Sequence, residues 1–199
     1  MATQSGHLPG IQSTQEKVDG KFLTKCLVNA RSLLSVHKKD GKQTCHLSNF
    51  QDLVYSEEAD LVWVTETWLR DDIESSEILP WGYTIYRNDR KSHAGGVLLA
   101  VKSCSFSTSR EINFDTDLEL VTVELTSKSN SKYLLCCCYK SQQNISWKSP
   151  ELTTGVDEVQ FTEQLYDYHL TQMNTFPTRG NNVLDLVITN VPSQVENVS

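Results

Sequence analysis

Apolar residues fall in short runs along this chain, and the spacing inside each run decides which element it predicts. FLTKCLV (22–28) reads as a strand that ends at Asn29. LVWVT (61–65) is apolar at four successive positions, the pattern of a strand buried on both faces. GGVLLAVK (95–102), LELVTVEL (118–125), YLLCCCY (133–139) and LDLVIT (184–189) predict further strands, with the turn-like TSKSNS joining the second of these to the third. Helical spacing occurs in two places. Leu47, Phe50, Leu53 and Val54 predict an amphipathic helix over 46–55, and Phe161, Leu165 and Tyr168 another over 158–170. Residues 1–20 are polar and show no period, which predicts a disordered leader and leaves 21–199 as one domain. Early helix–strand alternation followed by consecutive strands predicts an α/β fold with mixed sheets.

Several of these strands end in polar residues that chemistry could use. Asn29 follows FLTKCLV, Glu66 follows LVWVT, Tyr139 follows YLLCCC, and Asp185 sits inside LDLVIT. Polar groups gathered at one rim of a sheet are the usual site material of α/β folds, although each could instead cap a turn. Glu66 presses the point hardest. A carboxylate directly after a greasy strand costs several kcal/mol to bury alone, so it wants a cation or hydrogen-bond donors.

At 199 residues and 38% hydrophobic, the chain suits one globular domain with a real core. A net charge of -7 is the wrong sign for a generic nucleic-acid binder, but the charge is uneven. Acidic residues crowd 51–80, whereas 81–110 carries Arg87, Arg90, Lys91, Lys102 and Arg110 against Asp89. The loop RNDRKSHAGG (87–96) supplies Arg87, Arg90, Lys91 and His93 as candidate phosphate or DNA contacts, against the blander reading of a solvated loop. The six cysteines show no metal-like spacing, and Cys136, Cys137 and Cys138 alternate across a strand. They read as small, reduced and mostly buried. With no apolar signal core and no membrane-length run, an intracellular protein with no membrane contact is expected. Of the other histidines, His7 falls in the leader, His37 in a polar loop, His46 at a helix start and His169 within a helix.

NARSL (29–33), VTETWL (64–69), GYTIYRNDR with AGGVLLAV (82–101), LTQMNTFPTR (170–179) and LDLVITNVP (184–192) occur in that order. The series resembles the endonuclease domain of LINE-type non-LTR retrotransposons, of the endonuclease/exonuclease/phosphatase superfamily, over residues 22–199. The resemblance implies a four-layer α/β sandwich, two mixed sheets flanked by helices, and Mg²⁺-dependent hydrolysis of a DNA phosphodiester. By the same resemblance, Glu66 is the metal-binding carboxylate and Asn29 helps hold metal or phosphate. Tyr139 touches the scissile phosphate, and Asp185 orients a downstream histidine.

Two of the family's motifs are missing. There is no Gly-Asp-Phe-Asn, whose aspartate handles the proton and whose asparagine orients the phosphate. ISW (145–147) resembles the family's residues just C-terminal to that motif, so a segment lost near 140–144 is expected, leaving the sandwich incomplete. The Ser-Asp-His that carries the family's histidine is also absent. These absences imply an impaired nuclease that binds Mg²⁺ weakly and DNA weakly or not at all. The alternative is a non-enzymatic interaction module on the same fold. The gap itself implies an unpaired sheet edge at Tyr139, poorly covered Cys136 to Cys138, and an irregular loop over 140–157.

Overall fold

Ile11–Val18 (β1) pairs antiparallel with Lys21–Asn29 (β2), in register from Ile11 opposite Val28 to Val18 opposite Lys21. In this computed structural model the described residues are 11–18, 21–39, 42–90, 94–113, 118–139, 156–167, 169–172 and 185–190. The strand β1 corrects the expectation of a disordered leader over 1–20, of which 1–10 and 19–20 lie outside the described residues. A segment with no hydrophobic period still pairs through its backbone when a neighbouring strand offers a ladder. Polar and charged residues are what an edge strand tolerates best.

A hairpin of Val36–Lys39 (β3) and Lys42–Cys45 (β4) leads straight into helix α1 (His46–Ser56), the helix expected from the apolar spacing. His37 therefore lies on a strand rather than in a loop, with its ring centroid 4.6 Å from that of His46. Leu61–Thr65 (β5) follows, then the single turn α2 (Ser75–Ile78), Tyr83–Asn88 (β6) and Val97–Lys102 (β7). The strands of this first sheet run β1-β2-β5-β7-β6, with β2 and β5 parallel and the other neighbours antiparallel. LVWVT is its central strand, buried at every position, which is why its sequence does not alternate.

Thr108–Glu111 (β8), Glu119–Thr126 (β9), Lys132–Tyr139 (β10), Thr171–Gln172 (β11) and Asp185–Thr189 (β12) build the second sheet, in the order β11-β12-β10-β9-β8. Its described pairs are all antiparallel. Helix α3 (Val156–Asp167) precedes β11, and His169 lies just beyond it in a left-handed turn rather than within it.

Side-chain alternation sorts the apolar residues into layers. Trp63 of β5, Leu99 of β7, Val123 of β9 and Cys137 of β10 meet between the two sheets. Val62, Val64, Leu98 and Ala100 turn the other way and pack on Phe50 and Val54 of α1. Cys136, Cys138 and Ile188 face outward from the second sheet onto Leu165 of α3. The layers are thus α1, first sheet, second sheet, α3, a four-layer α/β sandwich. Each buried Val, Leu or Phe side chain contributes about 1.5–3 kcal/mol. Trp63 fits between the sheets because its Nε1 donates to Cys136 O at 3.1 Å.

The expected exposed edge at Tyr139 is not there. β10 is paired on both sides, with β9 and with β12, and Cys136 to Cys138 are buried. Asp185–Thr189 supplies the missing neighbour. Residues 140–155, where the loss and the irregular loop were expected, lie outside the described residues. Far from this end, buried Asp60 accepts from Thr24 N at 2.9 Å and from the Ser105 hydroxyl, tying β2 to the turn after β7. Among the described residues no helix is long and apolar enough to cross a membrane.

Candidate active site

Strand direction decides which residues share a rim. Asn29 ends β2 opposite Thr65, which ends β5 opposite Val97, where β7 begins. In the second sheet Tyr139, the last residue of β10, is flanked by Glu119 of β9 and Asp185 of β12. The two rows lie on the same side of the sandwich, because Tyr139 OH donates to Glu66 Oε1 at 2.8 Å across the sheets.

Glu66 is the centre of this rim. It is only 7% exposed, and Asn29 Nδ2 donates to the same Oε1 at 3.4 Å, longer than a good hydrogen bond. The phenol is therefore the stronger of these two donors. Burial without partners, the difficulty posed by the sequence, is resolved by donors from both sheets.

The backbone around Glu66 is held in an unusual shape. Glu66 (φ 51) and Trp68 (φ 52) are left-handed, as are Arg31 (φ 42) and Ser32 (φ 78) in the loop after β2. For non-glycine residues each such φ costs on the order of 1–3 kcal/mol and persists only where neighbours dictate it. Ser32 N donates to Glu66 O and Leu33 N to Thr67 O, both at 2.9 Å. From the other side Thr67 N donates to Gly96 O at 3.2 Å, and Trp68 N to Gly95 O at 2.9 Å. Three loops are laced into one unit. His46 secures the first of them, its Nδ1–H donating to Ser32 O at 2.9 Å.

Of the candidate phosphate contacts, Arg87 is 15% exposed in its side chain and pairs with Asp89 at 2.9 Å. It also donates to Arg70 O at 3.2 Å. Burial pushes the Asp89 carboxyl above its ordinary range, Arg87 opposes this, and Asp71 adds to it. Arg90 is 41% exposed and pairs with Glu119 Oε1 at 3.1 Å. Lys91 and His93 lie outside the described residues, as does the side chain of Asp185, which is placed by its register alone.

Sequence reasoning missed Glu119. Its Oε2 accepts from Gly96 N at 2.6 Å. Burial raises its pKa, the Gly96 N–H and Arg90 oppose the rise, and the charge of Glu66 adds to it. A second carboxylate thus stands within electrostatic reach of the first. Glu119 opens β9 as Glu66 follows LVWVT, but only strand direction brings the two to one rim, since an antiparallel strand brings its first residue to the rim where a parallel one brings its last.

Whether a divalent cation suits this rim depends on its donors. Among the described residues no three acidic, histidine or cysteine side chains converge as a ligand set. One carboxylate beside an amide still fits a hard cation that keeps most of its waters, and Glu66 and Asn29 are the residues that would hold it.

No family model matches the sequence, and no curated protein does. Among solved structures, the chain is similar to the human Nocturnin catalytic domain with bound sulfate anion. The TM-score is 0.44 at 11% identity, over 72% of this chain and 74% of that one. A likeness of that size identifies neither a substrate nor an activity.

Proposed function

We propose that this chain is the catalytically impaired remnant of a phosphodiesterase domain of the endonuclease/exonuclease/phosphatase type, a DNA endonuclease of retrotransposon origin. The observation that carries the reading is the convergence of Asn29 and Tyr139 on the Glu66 carboxylate. These are three residues to which the resemblance assigns metal and phosphate contacts. Mg²⁺, when bound, would neutralise charge on the phosphate being transferred. The protein's own part is to hold Glu66 rigid and to offer the Asn29 amide and Tyr139 hydroxyl at the same point.

Proton transfer is the part that is impaired. The sequence lacks the Gly-Asp-Phe-Asn aspartate, and such an acid–base group is typically worth roughly 10²–10⁴ in rate. DNA attraction is reduced as well, since the net charge is -7 and Arg87 and Arg90 already face carboxylates. An intracellular location belongs to the same reading.

Calorimetry with Mg²⁺ and paramagnetic broadening by Mn²⁺, on wild type and Glu66→Ala, test the cation. Binding on the order of 10⁻³ M or weaker, lost in the variant, is expected. Broadening that ignores Glu66 would favour the interaction-module reading. Supercoiled plasmid is expected to remain unnicked. Nicking that vanishes in Glu66→Ala would show that another residue supplies the missing proton transfer.

A further inference from the structure

Two neighbouring strands of the second sheet each send one side chain across to the Glu66 loop. Tyr139 of β10 reaches the carboxylate itself. Glu119, its partner on β9, reaches the Gly95–Gly96 turn instead, which no motif comparison assigns a task. We propose that Glu119 is the positioning residue of the Glu66 centre. Its carboxylate fixes the Gly95–Gly96 turn, and the turn's two carbonyls fix the backbone on which Glu66 sits.

The chain of contacts is short and directional. Glu119 Oε2 accepts from Gly96 N at 2.6 Å, and Arg90 holds the other oxygen at 3.1 Å. The turn it grips is left-handed at both residues, Gly95 at φ 105 and Gly96 at φ 83, a shape that glycine adopts freely. The fit is close as well. A Cβ on Gly95 would lie 2.5 Å from Glu119 Oε2, and one on Gly96 would lie 2.5 Å from Thr67 Oγ1. Gly96 O and Gly95 O then take the Thr67 and Trp68 amides, the two residues that follow Glu66. With Glu66 and Trp68 both left-handed, these bonds replace the preference the residues themselves lack. Arg90, a candidate DNA contact by sequence, is on this geometry the clamp that orients Glu119.

The assignment takes Glu66 as the centre of the proposed site, but its test needs no metal and no substrate. Amide hydrogen exchange is followed by NMR in wild type, Glu119→Ala and Glu119→Gln. Alanine removes the acceptor, and glutamine keeps an oxygen for Gly96 N while losing the charge. Exchange at Gly96, Thr67 and Trp68 is expected to rise by roughly 10- to 100-fold in Glu119→Ala, the factor for losing a hydrogen bond to a charged group. Amides within β5 and β10 should keep their protection, and Glu119→Gln should restore most of it at the three positions. Unchanged exchange there in Glu119→Ala refutes the proposal, as does a rise spread evenly through β5 and β10. Should the alanine variant not fold, Glu119→Asp carries the same comparison against Glu119→Gln, since its shorter stem withdraws the carboxylate from Gly96. Cation binding at Glu66 is read separately, so a domain that binds no cation leaves this result standing.

Discussion

Replacing Tyr139 with phenylalanine removes one atom from the candidate site and almost nothing from the core. The ring is buried between the sheets, in the same cluster as Trp63, Val97 and Val121, and phenylalanine preserves that packing. What disappears is the hydroxyl that donates to Glu66 Oε1 at 2.8 Å. A hydrogen bond to a charged group contributes about 1.5–3 kcal/mol. The Asn29 donor, at 3.4 Å, is too long to take its place. Tyr139→Phe should therefore lose about 1.5–3 kcal/mol in urea unfolding at neutral pH, with m unchanged because the surface exposed on unfolding is the same. In a chain of this size each kcal/mol moves the melting temperature by roughly 2–4 °C, so a thermal scan must agree. The decisive measurement is the double-mutant cycle with Glu66→Ala, so that no acceptor oxygen remains. A direct bond between the two side chains requires an interaction energy of about 0.5–3 kcal/mol, while independent roles require additivity within about 0.5 kcal/mol. Additivity, or a Tyr139→Phe cost below about 0.5 kcal/mol, refutes the idea that Tyr139 is what makes Glu66 tolerable in the interior.

Gly96→Ala should destabilise the fold by about 1–3 kcal/mol, because its φ of 83 is hostile to a Cβ that would also meet Thr67 Oγ1 at 2.5 Å; chemical denaturation reads this, and a neutral result would mean the turn can rearrange. The Arg87–Asp89 pair gives a pH signature. Asp89 has a folded pKa above its ordinary 3.8, so the native state binds the proton more readily than the unfolded chain. Its contribution to stability accordingly falls as pH rises from that ordinary value through the raised one. Asp89→Asn should flatten that part of the stability-versus-pH curve, and an unaltered slope would assign the titration elsewhere.

How far the sequence reveals this molecule depends on the origin of each signal. Elements whose side chains must be buried were readable: LVWVT became the central strand of its sheet, and the 46–55 spacing became α1. The strand β1 was not, because an edge strand takes its stability from the neighbour's backbone and needs no apolar period of its own. The hairpin β3–β4 and the edge strands β6 and β8 escaped for a related reason, since most of their side chains are exposed or only partly covered.

The site divides along the same line. Asn29, Glu66 and Tyr139 are legible because each ends an apolar strand, so a polar residue there stands out against its run. Glu119 and the Gly95–Gly96 turn lie at strand beginnings, and only the reversal of β7 and β9 relative to β5 and β10 brings them to the same rim. Chain direction is a property of topology, and no window of sequence contains it. The expected gap at Tyr139 failed for the same reason, since the strand that covers it, Asp185–Thr189, comes from 46 positions further along the chain, counting from Tyr139 to Asp185. Polar residues at strand ends thus propose half of a rim. The other half is found by asking which strand beginnings an antiparallel neighbour would set beside them, and in this fold that question leads to Glu119.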